Sequence, residues 1–377
     1  MRAVAILGLM FLLAGCAQPS SEAVSTPSAI DAQVEALMQR EDVKGMAIAV
    51  IEDGDVKHVA AFGYRNVEKQ APLETDTIMY GASLTKTAFS YMIMQLVDEG
   101  LFDLDKPLVS YLPKPLGDYQ DYIDIADDDR SGLITARHVL THSTGFANFR
   151  WLEDDQKLQF HFEPGARYAY SGEGFYLLQL ALEEGLGLDV KKEMQTRIYD
   201  RFNMPNTSMQ WREDFAENLA DGYGVDGEFE PHDERSGVSA AGSMDTTIAD
   251  QANMWAGMVR GEGLSAESRA EMMRGQLPIT TAKQFPTLWD TSDARGEEFS
   301  LSAGLGLVTF KGDHGASWFK GGHNPWTGNF AVCQEATKRC LVMLSNSVRA
   351  ELIYPELARM IMDDEAIPFW WEYEHVE

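Results

Sequence analysis

Positive charge is scarce in this sequence, cysteine is nearly absent, and no apolar run beyond the first residues is long enough to cross a bilayer. Each shortage removes a class of function. Only 31 Lys and Arg stand against 59 Asp and Glu, a formal net charge of −28. Such a surface repels a phosphate backbone and recruits counterions instead of releasing them, which excludes a nucleic-acid partner. The cysteines are Cys16, Cys333 and Cys340, too few for a sulfur-rich zinc site. His138 and His142 are four apart but lack the glutamate of a metalloprotease helix between them. Asp127, Asp128 and Asp129 lack the spacing and glycine of a calcium loop and read as a solvated turn. No metal is expected, and no repeat period emerges.

The N-terminus is a targeting segment. Arg2 precedes an apolar run, Val4 to Leu13, that is too short to span a bilayer. Leu13-Ala14-Gly15-Cys16 resembles a bacterial lipobox, so residues 1–15 are expected to be cleaved and Cys16 to carry lipid. Residues 16–29, rich in Ser, Pro and Ala, read as a flexible tether. Membrane attachment is expected through this anchor alone, at the outer membrane where the host has one, because Ala17 is not the aspartate that retains lipoproteins at the inner membrane.

With 45% hydrophobic residues the remainder can fill a substantial core. Helical spacing appears over Ala29 to Arg40 and, most clearly, over Leu84 to Glu99, with Gly100 as its C-terminal cap. Met46 to Ile51 and Val56 to Phe62 read as strands joined across Asp53-Gly54, a strong hairpin signal. Strand-like runs return at Gly304 to Phe310, Trp318 to Phe319, Phe330 to Val332 and Leu341 to Ser345, followed by a helix from about Ala350 to Met362. Loops and short helices occupy roughly 103–247. The fold class expected is α/β of the α+β type: an antiparallel sheet flanked by helices, with a largely helical insertion, over residues 30–365. Residues 366–377 read as an aromatic and acidic tail. Cys333 and Cys340 flank a polar hairpin tip and are placed to pair in an oxidising compartment. Trp318, Trp326, Trp370 and Trp371 read as packing residues.

Ser83-Leu84-Thr85-Lys86 places a hydroxyl and an amine at i and i+3 at a helix start, on one face. A neutral lysine there can take the serine proton, and the helix N-terminus favours the developing negative charge. Ser317-Trp318-Phe319-Lys320 has the same spacing and serves as an internal control. Its surroundings are strand-like, and in a strand i and i+3 point to opposite faces.

Three elements occur in order: Ser83-x-x-Lys86; Tyr170-Ser171-Gly172 after Phe162-Glu163-Pro164-Gly165; and Lys320-Gly321-Gly322. Together with LFDLDKPLVSYLP (101–113), ITARHVLTHSTGF (134–146), AAGSMDTTIAD (240–250) and Gly304-Leu305-Gly306, they resemble the serine β-lactamase and penicillin-binding protein superfamily, most closely its class C β-lactamase and esterase-like branch. The resemblance covers about Ala29 to Met362. It implies an acylated nucleophile at Ser83, a proton relay at Tyr170, the second lysine at Lys320, and an oxyanion hole from the backbone N–H groups of Ser83 and His323. It implies no cofactor, and a small-molecule or peptide substrate. Two lysines beside Tyr170 are expected to lower its pKa.

Two departures bear on the substrate. Gly172 stands where the family often has Asn, and Gly321 where it has Thr. Both remove polar side chains that would hold a substrate amide or carboxylate. Hydrolysis of simple esters is therefore favoured over a D-amino-acid peptidase or β-lactamase activity. A non-catalytic receptor for cell-wall fragments or β-lactams is the alternative of another class. Glu173 and His323 are candidates to supply the missing polar contact.

Overall fold

The computed structural model describes residues 26–373; the cleavage site and Cys16 lie outside them. Helix α1 (Pro27–Glu41) leads into strands β1 (Gly45–Glu52) and β2 (Asp55–Asn66). Asp53 and Gly54 both have positive φ, the backbone a two-residue hairpin turn needs. Helix α2 (Leu84–Asp98) and helix α3 (Glu173–Leu180) belong to the helical region, as do α4 (Ile248–Arg260) and α5 (Ala266–Met273). The chain then returns to the sheet through β3 (Val308–Gly312), β4 (Gly315–Asn324), β5 (Thr327–Gln334) and β6 (Arg339–Ser345). Helices α6 (Tyr354–Met362) and α7 (Phe369–Glu372) follow.

All pairings in the main sheet are antiparallel, and its central order is β2-β1-β6-β5-β4-β3, with two-residue strands at both edges. Strand β1 therefore pairs with β6, from the other end of the sequence. Alternation along the strands divides their side chains between two cores. Ala47, Ala49, Ile51, Ala331, Val342 and Leu344 join α2, α4 and the helical region on one face. Met46, Ile48, Val50, Phe330, Val332 and Met343 join α1, α6 and the C-terminal aromatics on the other. A strand buried on both faces reads as a near-continuous apolar run, which is why β1 shows no polar alternation. The α+β layering expected from sequence is present.

Two boundaries differ from expectation. The helical region does not stop near residue 247: α4 and α5 continue it to Met273 and pack against the sheet and α2. The segment read as a tail is not peripheral. Ile367, Phe369, Trp371 and Tyr373 are buried in the second core, because four aromatic or apolar residues in close succession must be removed from water. Cys333 and Cys340 face each other directly across β5 and β6 and are joined in a disulfide.

Candidate active site

Helix α2 carries the first two groups. It is buried nearly all round, while Ser83 at its N-terminal boundary is only half-buried and opens to a cleft of about 570 Å3. Ala82, just before it, has φ 47°, a left-handed conformation unusual for a residue with a Cβ and of the kind found at functional sites. Two hydrogen bonds hold this turn: Asn329 Nδ2 donates to the Tyr80 carbonyl (2.9 Å), and Thr85 Oγ1 to the Ala82 carbonyl (2.6 Å). The segments singled out in sequence converge here. Met244 N–H donates to Thr85 Oγ1 (3.1 Å), and Thr87 Oγ1 donates to the Gly306 carbonyl (2.7 Å). Gly306 has φ 79°, and a Cβ there would overlap Ser90.

Lys86 Nζ lies 3.2 Å from Ser83 Oγ and donates to the Ala241 carbonyl at 2.5 Å. Burial, reinforced by the field of Lys320, pushes its pKa well below the usual lysine value. A neutral amine at this distance can accept the serine proton. Ser317, by contrast, donates to the Gly315 carbonyl. In β4 it shares the face of Phe319, in the second core, whereas Lys320 shares the opposite face with Trp318. The accidental copy of the motif does not assemble.

Tyr170 enters on the loop before α3. Its ring stacks on His142 (centroids 4.2 Å apart), and Lys86 Nζ and Lys320 Nζ sit 4.9 and 5.0 Å from its centroid. The Lys320 amine is 3.5 Å from its hydroxyl and 2.6 Å from the Gly321 carbonyl. The expected lowering of the tyrosine pKa is not found. Burial raises it above the usual phenol value, against the contact with Ser83, and Glu372 adds to the rise. Two lysines lower a phenol only while they are charged, and burial depresses both; Lys320 falls to about 8 despite the field of Glu372. Tyr170 is therefore a neutral phenol, a proton donor.

Gly322 lies against the start of α2: a Cβ there would stand 3.0 Å from the backbone nitrogens of Ser83 and Leu84. The edge of β4 past Phe319 has no partner strand on this side. The Gly321 carbonyl points to that open edge, where it meets Lys320, and two-residue alternation turns the His323 N–H the same way. Ser83 and His323 both line the cleft, with Gly322 against the Ser83 N–H, so their amides are the candidates to meet a carbonyl oxygen gaining charge.

The two departures have physical counterparts. A Cβ at Gly172 would overlap the Phe149 ring, so the space for the usual Asn is filled. A Cβ at Gly321 would overlap the carboxylate of Glu372. Of the candidate replacements, Glu173 is buried against Arg150 (2.6 Å) and does not line the cleft. His323 does line it, its Nδ1 3.0 Å from Glu351 Oε1. Burial opposes the charged imidazole, but the hydrogen bond and charge of Glu351, with the field of Glu372, raise its pKa. His142 is neutral, its pKa lowered by burial and by both lysines, and its Nδ1 accepts from the Ser171 N–H (3.1 Å). Among the described residues no cluster of His, Cys, Asp or Glu could hold a metal.

Sequence reading missed Glu372 and its partner Gln284. Glu372 lines the cleft from α7, with Gln284 Nε2 donating to its Oε2 at 2.6 Å. Tyr168 OH in turn donates to Gln284 Oε1 (2.6 Å). The available signal was one acid within Phe369-Trp370-Trp371-Glu372-Tyr373, an apolar stretch that cannot remain in solvent.

The Beta-lactamase family model matches residues 30–361. A β-lactamase of Pseudomonas fluorescens is 25% identical over 197 residues, 52% of this chain and 54% of its own. A D-aminopeptidase of Gluconobacter oxydans is 27% identical over 183 residues, 46% of this chain and 34% of its own. These matches thus span about half and a third of the curated relatives. The D-alanine carboxypeptidase AmpC of Burkholderia cenocepacia shares the fold, with a TM-score of 0.68 at 17% identity over 89% of this chain and 97% of that one. The matched residues contain both helical layers, the central strands and Ser83, Lys86, Tyr170 and Lys320, and the chain belongs to the Beta-lactamase family.

Proposed function

We propose that this protein is a serine hydrolase that cleaves esters through an acyl-enzyme on Ser83. The observation that carries the reading is the 3.2 Å contact between Ser83 Oγ and a lysine whose pKa burial holds well below its usual value. Lys86 takes the serine proton as Oγ bonds to the substrate carbonyl carbon. The oxyanion rests on the Ser83 and His323 amides. Collapse breaks the bond to the leaving group, which takes its proton from the neutral Tyr170; Lys86, now charged, restores that proton through the shared network. Water then cleaves the acyl-enzyme by the reverse sequence. No cofactor enters any step.

Two features favour esters over acylamino β-lactams and peptides. Phe149 fills the place of the amide donor that Gly172 lacks, and an alkoxide or phenoxide leaves with less help from Tyr170 than an amine does. Loss of one hydrogen bond in a site shaped for it weakens a substrate by roughly 1–3 kcal/mol, about tenfold or more. Fluorophosphonate labelling with peptide mapping should find the adduct on Ser83, and kcat/KM for a butyryl ester should exceed that for nitrocefin. Labelling elsewhere would refute the nucleophile; faster nitrocefin turnover would refute the ester preference.

The sequence of the leader supports a location at the bacterial cell envelope, lipid-anchored through Cys16 and facing the periplasm from the outer membrane in a Gram-negative host. Incorporation of labelled lipid by the full-length chain, abolished by Cys16→Ser, tests this. Unlipidated protein in the soluble fraction would refute it.

A further inference from the structure

The C-terminal segment places an acid where the family's threonine would stand. Glu372 lies beyond the matched residues 30–361, on α7, and is only 3% exposed, yet it lines the same cleft as Ser83, Lys86, Tyr170 and Lys320. It is held there. Gln284 Nε2 donates to Oε2, Tyr168 braces Gln284, and the Gln284 N–H donates to the Trp371 carbonyl at 2.9 Å. Glycine at 321 is what makes room, since any Cβ would overlap the carboxylate. The missing threonine and the added glutamate are one change.

That change alters which charges the cleft can accept. Glu372 and Lys320 line the same cleft without forming an ion pair, and His323 is hydrogen-bonded to Glu351. Arg235, on the far wall, is held by Asp245 and Asp233. Burial holds the Lys86 pKa well below the usual lysine value. Among the described residues, Arg235 and His323 on the cleft wall are each paired with an acid of the protein, while the Lys320 amine is bonded to the Tyr170 hydroxyl and the Gly321 carbonyl. A carboxylate entering on this side would lose its hydration next to a buried acid of the same charge. An uncharged group meets no such obstacle, and an ammonium group gains a partner.

We infer that Glu372 is a specificity-determining residue that bars substrates with a carboxylate on the leaving-group side and admits uncharged or cationic ones. The inference rests on the proposed serine hydrolase, in which Tyr170, 3.5 Å from Lys320, faces the leaving group. Burial also raises the Glu372 pKa to about 7 against the pull of Lys320 and His323, so the acid is ionised in a good part of the molecules at neutral pH and above.

The test uses the full-length protein at pH 8 with three phenyl acetates bearing a 3-carboxylate, a 3-carboxamide or a 3-aminomethyl group, each rate corrected for its hydrolysis by hydroxide. The native protein should favour the carboxamide over the carboxylate by about tenfold or more in kcat/KM, with the ammonium ester at least equal to the carboxamide. Glu372→Gln should narrow the first gap to roughly threefold or less and remove any ammonium advantage; Glu372→Asp should keep the native order. Fluorophosphonate labelling of Ser83 reports an intact site in each variant. Equal use of carboxylate and carboxamide by the native protein would overturn the inference, as would an unchanged gap in a labelled Glu372→Gln. Absence of both labelling and turnover in the native protein would overturn the hydrolase reading and this inference with it.

Discussion

Threonine at position 321 should destabilise the protein while Glu372 is present and stabilise it once that side chain is shortened. Gly321 sits in β4 without a positive φ, so its backbone suits any residue. On propensity alone Gly→Thr in a strand is favourable by about 1 kcal/mol, and the loss of unfolded-state freedom adds a few tenths. Against this stands the overlap of the new Cβ with the Glu372 carboxylate. The carboxylate cannot swing clear, because Gln284 holds Oε2 and buried Phe369 and Trp371 hold α7. Overpacking of this kind costs about 1–3 kcal/mol, so Gly321→Thr should lose roughly 1 kcal/mol net. In a Glu372→Ala background the overlap is gone and the propensity gain remains. The double-mutant cycle should therefore show a coupling of about 2 kcal/mol. Urea unfolding followed by tryptophan fluorescence measures it, provided the slope with denaturant is common to all four proteins. A coupling below about 0.5 kcal/mol would show that the carboxylate is not what demands glycine at 321.

Ser83→Ala should abolish ester turnover and Lys86→Ala should lower kcat/KM by about two to four powers of ten, while Ser317→Ala stays within about twofold of the parent; full activity in Ser83→Ala would end the assignment. Gly172→Asn alone should destabilise by roughly 1–3 kcal/mol through its overlap with Phe149 and leave nitrocefin turnover low. Joined with Phe149→Ala it should raise nitrocefin kcat/KM about tenfold, and no gain in the double variant would show that the amide donor does not govern β-lactam use. The Glu372 carboxyl has a folded pKa raised from 4.5 to about 7, so its protonated form favours folding. That contribution is complete below about pH 4.5 and is lost as the pH rises through 7, on the order of 3 kcal/mol in all. Glu372→Gln should therefore gain stability relative to the parent between pH 5 and pH 8 in urea unfolding, and parallel pH profiles would refute the buried acid.

Local order was enough for much of the fold and half of the site. Helical spacing with a glycine cap marked α2, Asp53-Gly54 marked the first hairpin, and short strand-like runs marked the late strands, because helix, turn and strand geometry act over a few residues. Ser83 and Lys86 could be paired from spacing alone, since one helical turn brings i and i+3 together, and the second Ser-x-x-Lys could be dismissed because a strand separates them.

What depends on long-range packing stayed hidden. The pairing of β1 with β6, the reach of the helical layer to Met273 and the burial of Phe369 and Trp371 are set by which apolar faces can cover one another, not by any local period. The Tyr170 pKa went the other way because charge in a buried site is governed first by desolvation, which a sequence does not display. Glu372 is the clearest case. The sequence alone determined that glycine replaces threonine at 321, but only the tertiary structure decided that the vacated volume, fifty-one positions upstream of α7's last residue, is filled by an acid, because volume is shared between neighbours in space and not along the chain.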